Sequence, residues 1–299
     1  MNKKLSMLLA AGLVFASLAG CGSKDTPKED GEANGDAQGQ KGAITVLSRE
    51  EGSGTRGAFI ELMGIEQKDA NGEKIDHTTL EAEVTNSTAV MLTTVSGNDS
   101  AIGYISMGSL NDSVKALKID GVEATPENVK NGTYAVARPF NVVTKENLTP
   151  VAQDFLDFIL SAEGQGVVEE NGYISEGSTG AYAGTKPAGS ITVAGSSSVA
   201  PVMEKLREAY LTYNPNAKIE VQQSDSTIGI SSVVEGICEI GMASRDLKDS
   251  EMSKGVSNTV IARDGIAIIV SKDNANDALK TDQVRAIYMA EITDWSEIQ

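Results

Sequence analysis

Arg49 and the residues Ser53, Gly54 and Thr55 that follow it are the residues best suited to chemistry in this sequence. The first N–H groups of a helix have no partner within the helix, and the helix dipole places partial positive charge beside them. A helix that begins at residues 53–55 would aim these donors at one point, where the Arg49 guanidinium can add a fork of further donors. This combination predicts an anion-binding site.

Two further segments repeat the pattern. Ser197 and Ser198 precede an expected helix over residues 201–210, and Ser226 precedes an apolar helix expected over residues 228–237. A serine or threonine before a helix more often serves as a plain N-cap. Three hydroxyl-rich helix starts and one arginine, however, suit a tetrahedral oxyanion.

The elements that must position these residues alternate along the chain, which predicts an α/β fold with sites at the carboxyl ends of strands. The 256 residues from 44 to 299 also exceed one compact core and suit two lobes. The expected strands are residues 44–48, 101–105, 141–144, 191–195, 219–223 and 265–270. The expected helices are residues 54–63, 87–96, 151–160, 162–170, 201–210, 228–237 and 282–290.

Charge and composition exclude several classes of function. The formal net charge of −17 argues against binding to nucleic acid, which requires neutralisation of phosphates. His77 is the only histidine and lies in a polar run, and Cys238 is expected to be a buried small hydrophobe, so we expect no metal and no cofactor. A serine nucleophile needs a positioned base, and no G-x-S-x-G motif is present, so a binding protein is favoured over an enzyme.

The amino terminus predicts a compartment. Lys3 and Lys4 precede a short apolar run, and Cys21 completes the sequence Leu-Ala-Gly-Cys, which is typical of a lipoprotein signal peptide. We therefore expect a signal peptide over residues 1–20, lipidation of Cys21 and a flexible tether over residues 21–43. The protein would be extracytoplasmic and anchored to the cell membrane; the alternative is a signal peptide with an incidental cysteine.

Six longer strings carry most of the remaining information in the sequence: SREEGSGTR, AIGYISMGSL, VKALKIDGVEATPENVKNGTY, ITVAGSSSVAPVMEKLREAY, EIGMASRDLK and DQVRAIYMAEITDW. These strings resemble the phosphate-binding proteins of bacterial phosphate ABC importers. The resemblance covers nearly everything from Ala43 onward, and it implies a two-lobed fold like that of the type II periplasmic binding proteins. It also implies inorganic phosphate as the ligand and ABC permease subunits in the membrane as partners, with the protein acting as a monomer.

The order of these strings is swapped relative to the family, because residues 44–174 resemble its second half and residues 190–299 its first. We therefore expect a circular permutant; the alternative is a truncated chain with a further module after Gln299. Two strands that cross between lobes are expected at residues 140–145 and 266–272. The predicted lobes are a split lobe, residues 44–140 plus 269–299, and a contiguous lobe, residues 141–268.

The resemblance also implies the phosphate ligands. Arg49, Ser53, Gly54 and Thr55 match the family pattern RxxGSGT, while the donors from the other lobe are expected to be Ser197, Ser198, Ser226 and Ser244.

One departure concerns Arg245, which stands where some members of the family carry an aspartate that accepts the ligand proton. Arg245 would instead add positive charge to the site, and Asp225, Asp246 or Asp264 would have to supply the acceptor. The alternatives to phosphate transport are a receptor for sulfate or molybdate, a phosphate-sensing lipoprotein without transport, and a phosphoryl or acyl hydrolase.

Overall fold

The computed structural model describes residues 41–298. The predicted signal peptide, the predicted lipidation site Cys21 and all of the predicted tether except residues 41–43 lie outside the described residues. The described residues belong to one compact unit.

These residues form an α/β fold. The strands are β1 Thr45–Arg49, β2 Glu66–Lys68, β3 Lys74–Asp76, β4 Glu83–Thr85, β5 Ala101–Ser106, β6 Val114–Ala116, β7 Lys118–Ile119, β8 Ala137–Lys145, β9 Gly189–Ser196, β10 Ala217–Ser224, β11 Ile240–Ala243, β12 Val256–Ser271 and β13 Ala278–Leu279. The helices are α1 Gly54–Leu62, α2 Thr88–Ser96, α3 Pro126–Lys130, α4 Pro150–Leu160, α5 Ala162–Glu170, α6 Ala200–Tyr213, α7 Ser226–Glu235, α8 Asp249–Met252 and α9 Thr281–Tyr288. Short 3-10 helices occupy Met107–Ser109 and Trp295–Glu297.

One mixed sheet connects the two ends of the molecule. Its strand order is β10-β9-β11-β8-β12-β5-β1-β4, and β6 also pairs with β12. The strands β10, β9 and β11 are parallel at one end, and β5, β1 and β4 are parallel at the other. Between them, β8 pairs with residues 256–265 of the long strand β12, and residues 266–270 of β12 pair with β5. The strand β12 therefore links two parallel halves.

The hydrophobic core divides with the sheet. One set of clusters draws on residues 140–262, and the other draws on residues 46–136 together with 266–295 and Ile174. Full burial of a large apolar side chain contributes roughly 1.5–3 kcal/mol, so each half has its own stabilising interior. The first change from one core to the other lies close to the expected lobe boundary at residue 140. The second lies between residues 262 and 266, shortly before the expected boundary at residue 268. The assignment of two lobes stays a prediction, although it agrees with these cores.

The sequence patterns located every long element but misjudged some boundaries. The expected strand over residues 265–270 begins much earlier, at Val256, because its polar first half is held by backbone pairing to β8 rather than by an apolar pattern. The helix α7 ends at Glu235, where Gly236 adopts a left-handed conformation with φ of 73°, so it does not reach Ile237. The short strands β2, β3, β4, β6, β7 and β13 and the short helices α3 and α8 were not predicted.

Residues 41–298 include no helix that combines the length and the apolar character needed to cross a bilayer.

Candidate functional site

Arg49 lies at the carboxyl end of β1 and is 2% exposed. Its Nε and Nη2 donate to Glu50 at 2.8 and 2.7 Å, and Nη2 also donates to Ser197 Oγ at 3.1 Å. Within the described residues, Arg49 Nη1 is buried and has no hydrogen-bond partner. One face of this guanidinium is therefore oriented by the protein, and one nitrogen is left available.

Tyr104 holds the end of β1 in place. The Arg49 backbone N–H donates to the Tyr104 hydroxyl at 3.0 Å, and Ser48 Oγ lies 3.0 Å from the same oxygen. The Tyr104 ring stacks on Phe59 of α1, with centroids 4.0 Å apart. Burial raises the pKa of Tyr104 to about 12, so the hydroxyl keeps its proton at neutral pH. This packing fixes Arg49 relative to the start of α1.

The helix α1 begins where the sequence predicts. Ser53 is its N-cap, and its side chain accepts from the Arg56 N–H at 3.3 Å. Thr55 Oγ1 lies 2.7 Å from Ser198 Oγ, which belongs to the turn between β9 and α6. The first turn of α1 therefore contacts the opposite half of the sheet directly.

Gly54 is required by this close approach. A Cβ atom added to it would collide with Ser226 Oγ and would lie 2.7 Å from Ser244 Oγ. Those distances are shorter than side chains tolerate, so only glycine fits between α1, α7 and the end of β11.

The other predicted serines meet at the same place. Ser197 and Ser198 follow β9 and precede α6, Ser226 is the first residue of α7, and Ser244 follows β11. Ser226 Oγ accepts from the Ser244 N–H at 3.0 Å, and Ser196 Oγ donates to Ser244 Oγ at 3.0 Å. The structure thus brings together hydroxyls from segments far apart in sequence.

A fourth helix start, that of α2, joins them. Thr88 Oγ1 lies 3.4 Å from both Ser197 Oγ and Ser198 Oγ, and the Thr88 N–H donates to Ser197 Oγ at 3.4 Å. Sequence reasoning missed Thr88, although the Asn86-Ser87 cap before the expected helix is the same kind of signal. Sequence reasoning also missed Ser196, the last residue of β9. All these side chains are at least nine-tenths buried; we call them the hydroxyl cluster: Thr55, Thr88, Ser196, Ser197, Ser198, Ser226 and Ser244.

The expectation for Arg245 needs correction. Its Nη1 and Nη2 donate to the two carboxylate oxygens of Glu251, each at 2.8 Å, and Nη2 also donates to Thr227 Oγ1 at 3.2 Å. A bidentate pair of this kind fixes the guanidinium and neutralises its charge. The Arg245 side chain was expected to add positive charge to the site. It is instead paired with Glu251 of α8 and is not part of the hydroxyl cluster.

The three candidate proton acceptors lie in different environments. Asp225 caps α7 by accepting from the Ile228 N–H at 2.8 Å, Asp246 is exposed, and Asp264 is fully buried. Among residues 41–298, none of the three carboxylates is hydrogen-bonded to a hydroxyl of the cluster. The residue that would accept a ligand proton therefore stays unassigned by these contacts.

A buried ion pair joins β8 to β12 between the two halves of the sheet. Arg138 is paired in register with Asp264, and Arg138 Nη2 lies 3.2 Å from Asp264 Oδ2. Asp264 Oδ1 accepts from the Gly108 N–H at 3.3 Å. Burial raises the pKa of Asp264 to about 6, and burial lowers the pKa of Arg138 to about 10.

The surroundings of the cluster serines, of His77 and of Cys238 can be described directly. Within them, none of the cluster serines is hydrogen-bonded to a histidine, lysine or carboxylate that could act as a base. His77 is exposed, as expected, and no group of His, Cys, Asp and Glu in residues 41–298 is arranged to hold a metal ion. Cys238 is buried, as expected, and burial raises the pKa of its thiol to about 11.

Comparison with known proteins places this site in a family. A model of the PBP superfamily domain matches residues 28–163 and 180–299. Phosphate-binding protein PstS 2 of Streptococcus agalactiae serotype V is 53% identical over 299 residues, which cover 99% of this chain and 98% of that protein. Phosphate-binding protein PstS 2 of Streptococcus pneumoniae serotype 4 is 42% identical over 298 residues and 99% of each chain.

A crystal structure of a phosphate-binding protein of a phosphate ABC transporter from Streptococcus pneumoniae TIGR4 is also similar. It is 44% identical, covers 86% of this chain and 100% of its own, and superimposes with a TM-score of 0.67. This similarity spans both halves of the sheet. The chain therefore belongs to the PBP superfamily and, within it, to the family of PstS phosphate-binding proteins.

Proposed function

We propose that this chain binds inorganic phosphate at the hydroxyl cluster. The observation that carries the proposal is the convergence of four helix starts, those of α1, α2, α6 and α7, on one buried set of hydroxyls beside Arg49. Helix N-termini favour anions through their free N–H groups and their dipoles. The proposed ligands are Arg49, Ser53, Gly54, Thr55, Ser197, Ser198, Ser226 and Ser244, with Thr88 added.

The energetics are sufficient for tight binding. Each hydrogen bond to a charged group contributes roughly 1.5–3 kcal/mol, and a micromolar complex requires about −8 kcal/mol. About four such bonds would reach that value. The proposed ligand set offers more, which leaves a margin for the cost of ordering and desolvating the site.

The net charge of −17 determines which interactions can attract the ligand. The molecule as a whole repels an anion, so attraction must come from donors at short range in a desolvated cleft. Such donors also discriminate by shape, which suits a small tetrahedral ligand.

We further propose that the protein delivers phosphate to an ABC permease from the outer side of the cell membrane. The similar Streptococcus pneumoniae protein of known structure is the phosphate-binding protein of a phosphate ABC transporter. The Leu-Ala-Gly-Cys sequence ending at Cys21 supports anchoring by a lipid. A monomer that carries its ligand between two lobes fits this role.

Calorimetric titration of the purified protein with phosphate, sulfate and molybdate in parallel tests the proposed ligand. Phosphate should give strong heat at micromolar concentration, and the other two oxyanions should not. Equal or tighter binding of sulfate would contradict phosphate specificity and favour a receptor for a fully ionised oxyanion, which needs no acceptor for a ligand proton. Loss of phosphate uptake in a strain that lacks the protein would test delivery.

A further inference from the structure

Arg138 is a buried guanidinium that the protein satisfies only in part. Its side chain is 2% exposed, and its contact with Asp264 is made through Nη2 alone. Arg138 Nε and Nη1 are buried and have no hydrogen-bond partner within residues 41–298. Buried donors in native proteins are almost always paired, so these two nitrogens call for an acceptor.

Arg138 and one of the proposed phosphate ligands, Ser53, border the same cleft. Arg138 lines a cleft of about 900 Å³ together with Ser53, the N-cap of α1, and Thr227 in the first turn of α7. Burial lowers the pKa of Arg138, and the charge of Asp264 raises it. The next largest effect comes from the positive charge of Arg49, which lowers the pKa of Arg138 further. Arg49 also has a buried nitrogen without a partner, Nη1. Two buried guanidinium groups that repel each other, each with free donors, are an arrangement that an anion would stabilise.

We propose that Arg138 is a second guanidinium for the bound anion, which it approaches from the strands that connect the two halves while Arg49 approaches from β1. This inference rests on the proposed function and adds a determinant of ligand charge to it. With Arg245 committed to Glu251, Arg138 supplies the second positive charge at the site. Two guanidinium groups match an oxyanion with two negative charges, so the site should prefer the dianion of phosphate to the monoanion.

A purely structural role for Arg138 makes a different prediction. In that case Arg138 only neutralises the buried charge of Asp264, and its loss would weaken phosphate binding indirectly through an unpaired carboxylate. Removal of both charges would then restore binding. If Arg138 faces the ligand, removal of both charges leaves binding weak.

The test is phosphate titration of the full-length protein and of R138Q, D264N, the double variant R138Q/D264N and R263Q. Arg263 is the matched control, because it neighbours Asp264 on β12 but is exposed and paired with Glu176. We expect R138Q and the double variant both to lose more than about tenfold in phosphate affinity, and R263Q to bind like the unmutated protein. The loss should be greater above the second ionisation of phosphate than below it.

The outcomes separate the two proposals. If the unmutated protein does not bind phosphate, the proposed function fails. If it binds and the double variant binds as tightly, the inference about Arg138 is overturned while the proposed function stands.

A measurement on the unmutated protein covers the case in which the variants do not fold. Arg49 and Arg138 are the two fully buried arginines among residues 41–298. In protein labelled with ¹⁵N at arginine, phosphate should shift the Nε–H resonances of both. A shift confined to one buried arginine would overturn the inference.

Discussion

At the scale of single residues, Arg49 combines firm orientation with an unused donor. Glu50, Ser197 and Tyr104 fix the side chain and backbone, while Nη1 has no partner in the described structure. Orientation before binding reduces the entropy lost when the ligand arrives. Arg49 is therefore expected to contribute more to affinity than an exposed arginine would.

Substitution of Arg49 by alanine tests this directly. We expect Arg49→Ala to weaken phosphate binding by at least about 3 kcal/mol, because it removes a desolvated counter-charge. The variant should still fold, because the Glu50 side chain that loses its Arg49 partner is 21% exposed and can be hydrated. Calorimetry and thermal unfolding would measure both effects. Arg285→Ala, which removes an exposed charge from α9, is the control. If the variant binds phosphate within about tenfold of the unmutated protein, Arg49 is not a phosphate ligand.

Asp264 leads to a prediction about pH. Its pKa is raised by burial to about 6 in the folded protein, above the ordinary value of 3.8, so the folded state holds this proton more tightly than the unfolded state. The associated stabilisation is present below about pH 4 and is lost as the pH rises through about 6. We compare the free energy of unfolding of the unmutated protein with that of the Asp264→Asn variant. The value for the unmutated protein minus that for the variant should fall by up to about 3 kcal/mol as the pH rises through this window. Chemical denaturation at several pH values measures it, and a difference that rises with pH would contradict the assignment.

At the scale of elements, helix starts could be found from the sequence, but their meeting could not. Ser197, Ser226 and Thr55 each follow a strand and open a helix, which is a local pattern. Arg138 has no such pattern around it, because its role depends on pairing with a strand more than a hundred residues away. Arg245 was misplaced for a different reason: its partner Glu251 is only six residues away, but the pairing depends on the short helix α8, which was not predicted. The helix starts could therefore be predicted from local patterns, whereas the partners of the two arginines could not.

The close contact of α1 with α7 and β11 can be tested at Gly54. We expect Gly54→Ala to lower the free energy of unfolding by roughly 1–3 kcal/mol, because the added Cβ overlaps the Ser226 and Ser244 side chains. Phosphate affinity should fall as well, since α1 must move away from the other helix starts. Gly57→Ala is the matched control on the same helix, because its Cβ would lie 3.7 Å from Arg245 Cδ, an ordinary contact. Equal behaviour of the two variants would argue against a close approach at residue 54.

At the scale of the whole molecule, two segments that are far apart in the sequence pair within one half of the sheet. The strands β8 and β12 connect the two halves, whereas segment 42–44 pairs with segment 293–295 beside the core that contains Trp295. The Ile44 N–H donates to the Thr293 carbonyl at 2.8 Å, and the Trp295 N–H donates to the Gly42 carbonyl at 2.9 Å. The swapped order of the halves stays a prediction, but this pairing is what a link between these segments would require.

Residues 175–189, which connect the two segments of swapped order, are anchored more firmly than a flexible loop. Asp154, on α4, accepts from the Tyr182 hydroxyl at 2.6 Å, from the Thr185 N–H at 2.8 Å and from the Tyr210 hydroxyl at 2.8 Å. Asp154 is 4% exposed, so loss of the Tyr182 and Thr185 donors would leave a buried carboxylate with only Tyr210 of these three partners. If the chain is cut near this segment, residues 176–188 should therefore stay covalently joined to the part of the chain that contains Asp154.

A rearranged chain tests the proposed order of the halves. It would begin at Gly189, run to Gln299, continue through a few glycine-rich residues to Ala43 and end at Ala188. The new link closes a short gap, and the cost of loop closure grows only logarithmically with length, so this chain should fold and bind phosphate within about tenfold of the natural order. A second rearranged chain that ends at Ser175 lacks two of the three donors to Asp154, Tyr182 and Thr185, and should be less stable by roughly 2 kcal/mol. Denaturation and calorimetry of both would measure these effects. If the chain ending at Ala188 fails to fold while the natural order folds and binds, the two halves do not form a unit that can be joined in either order.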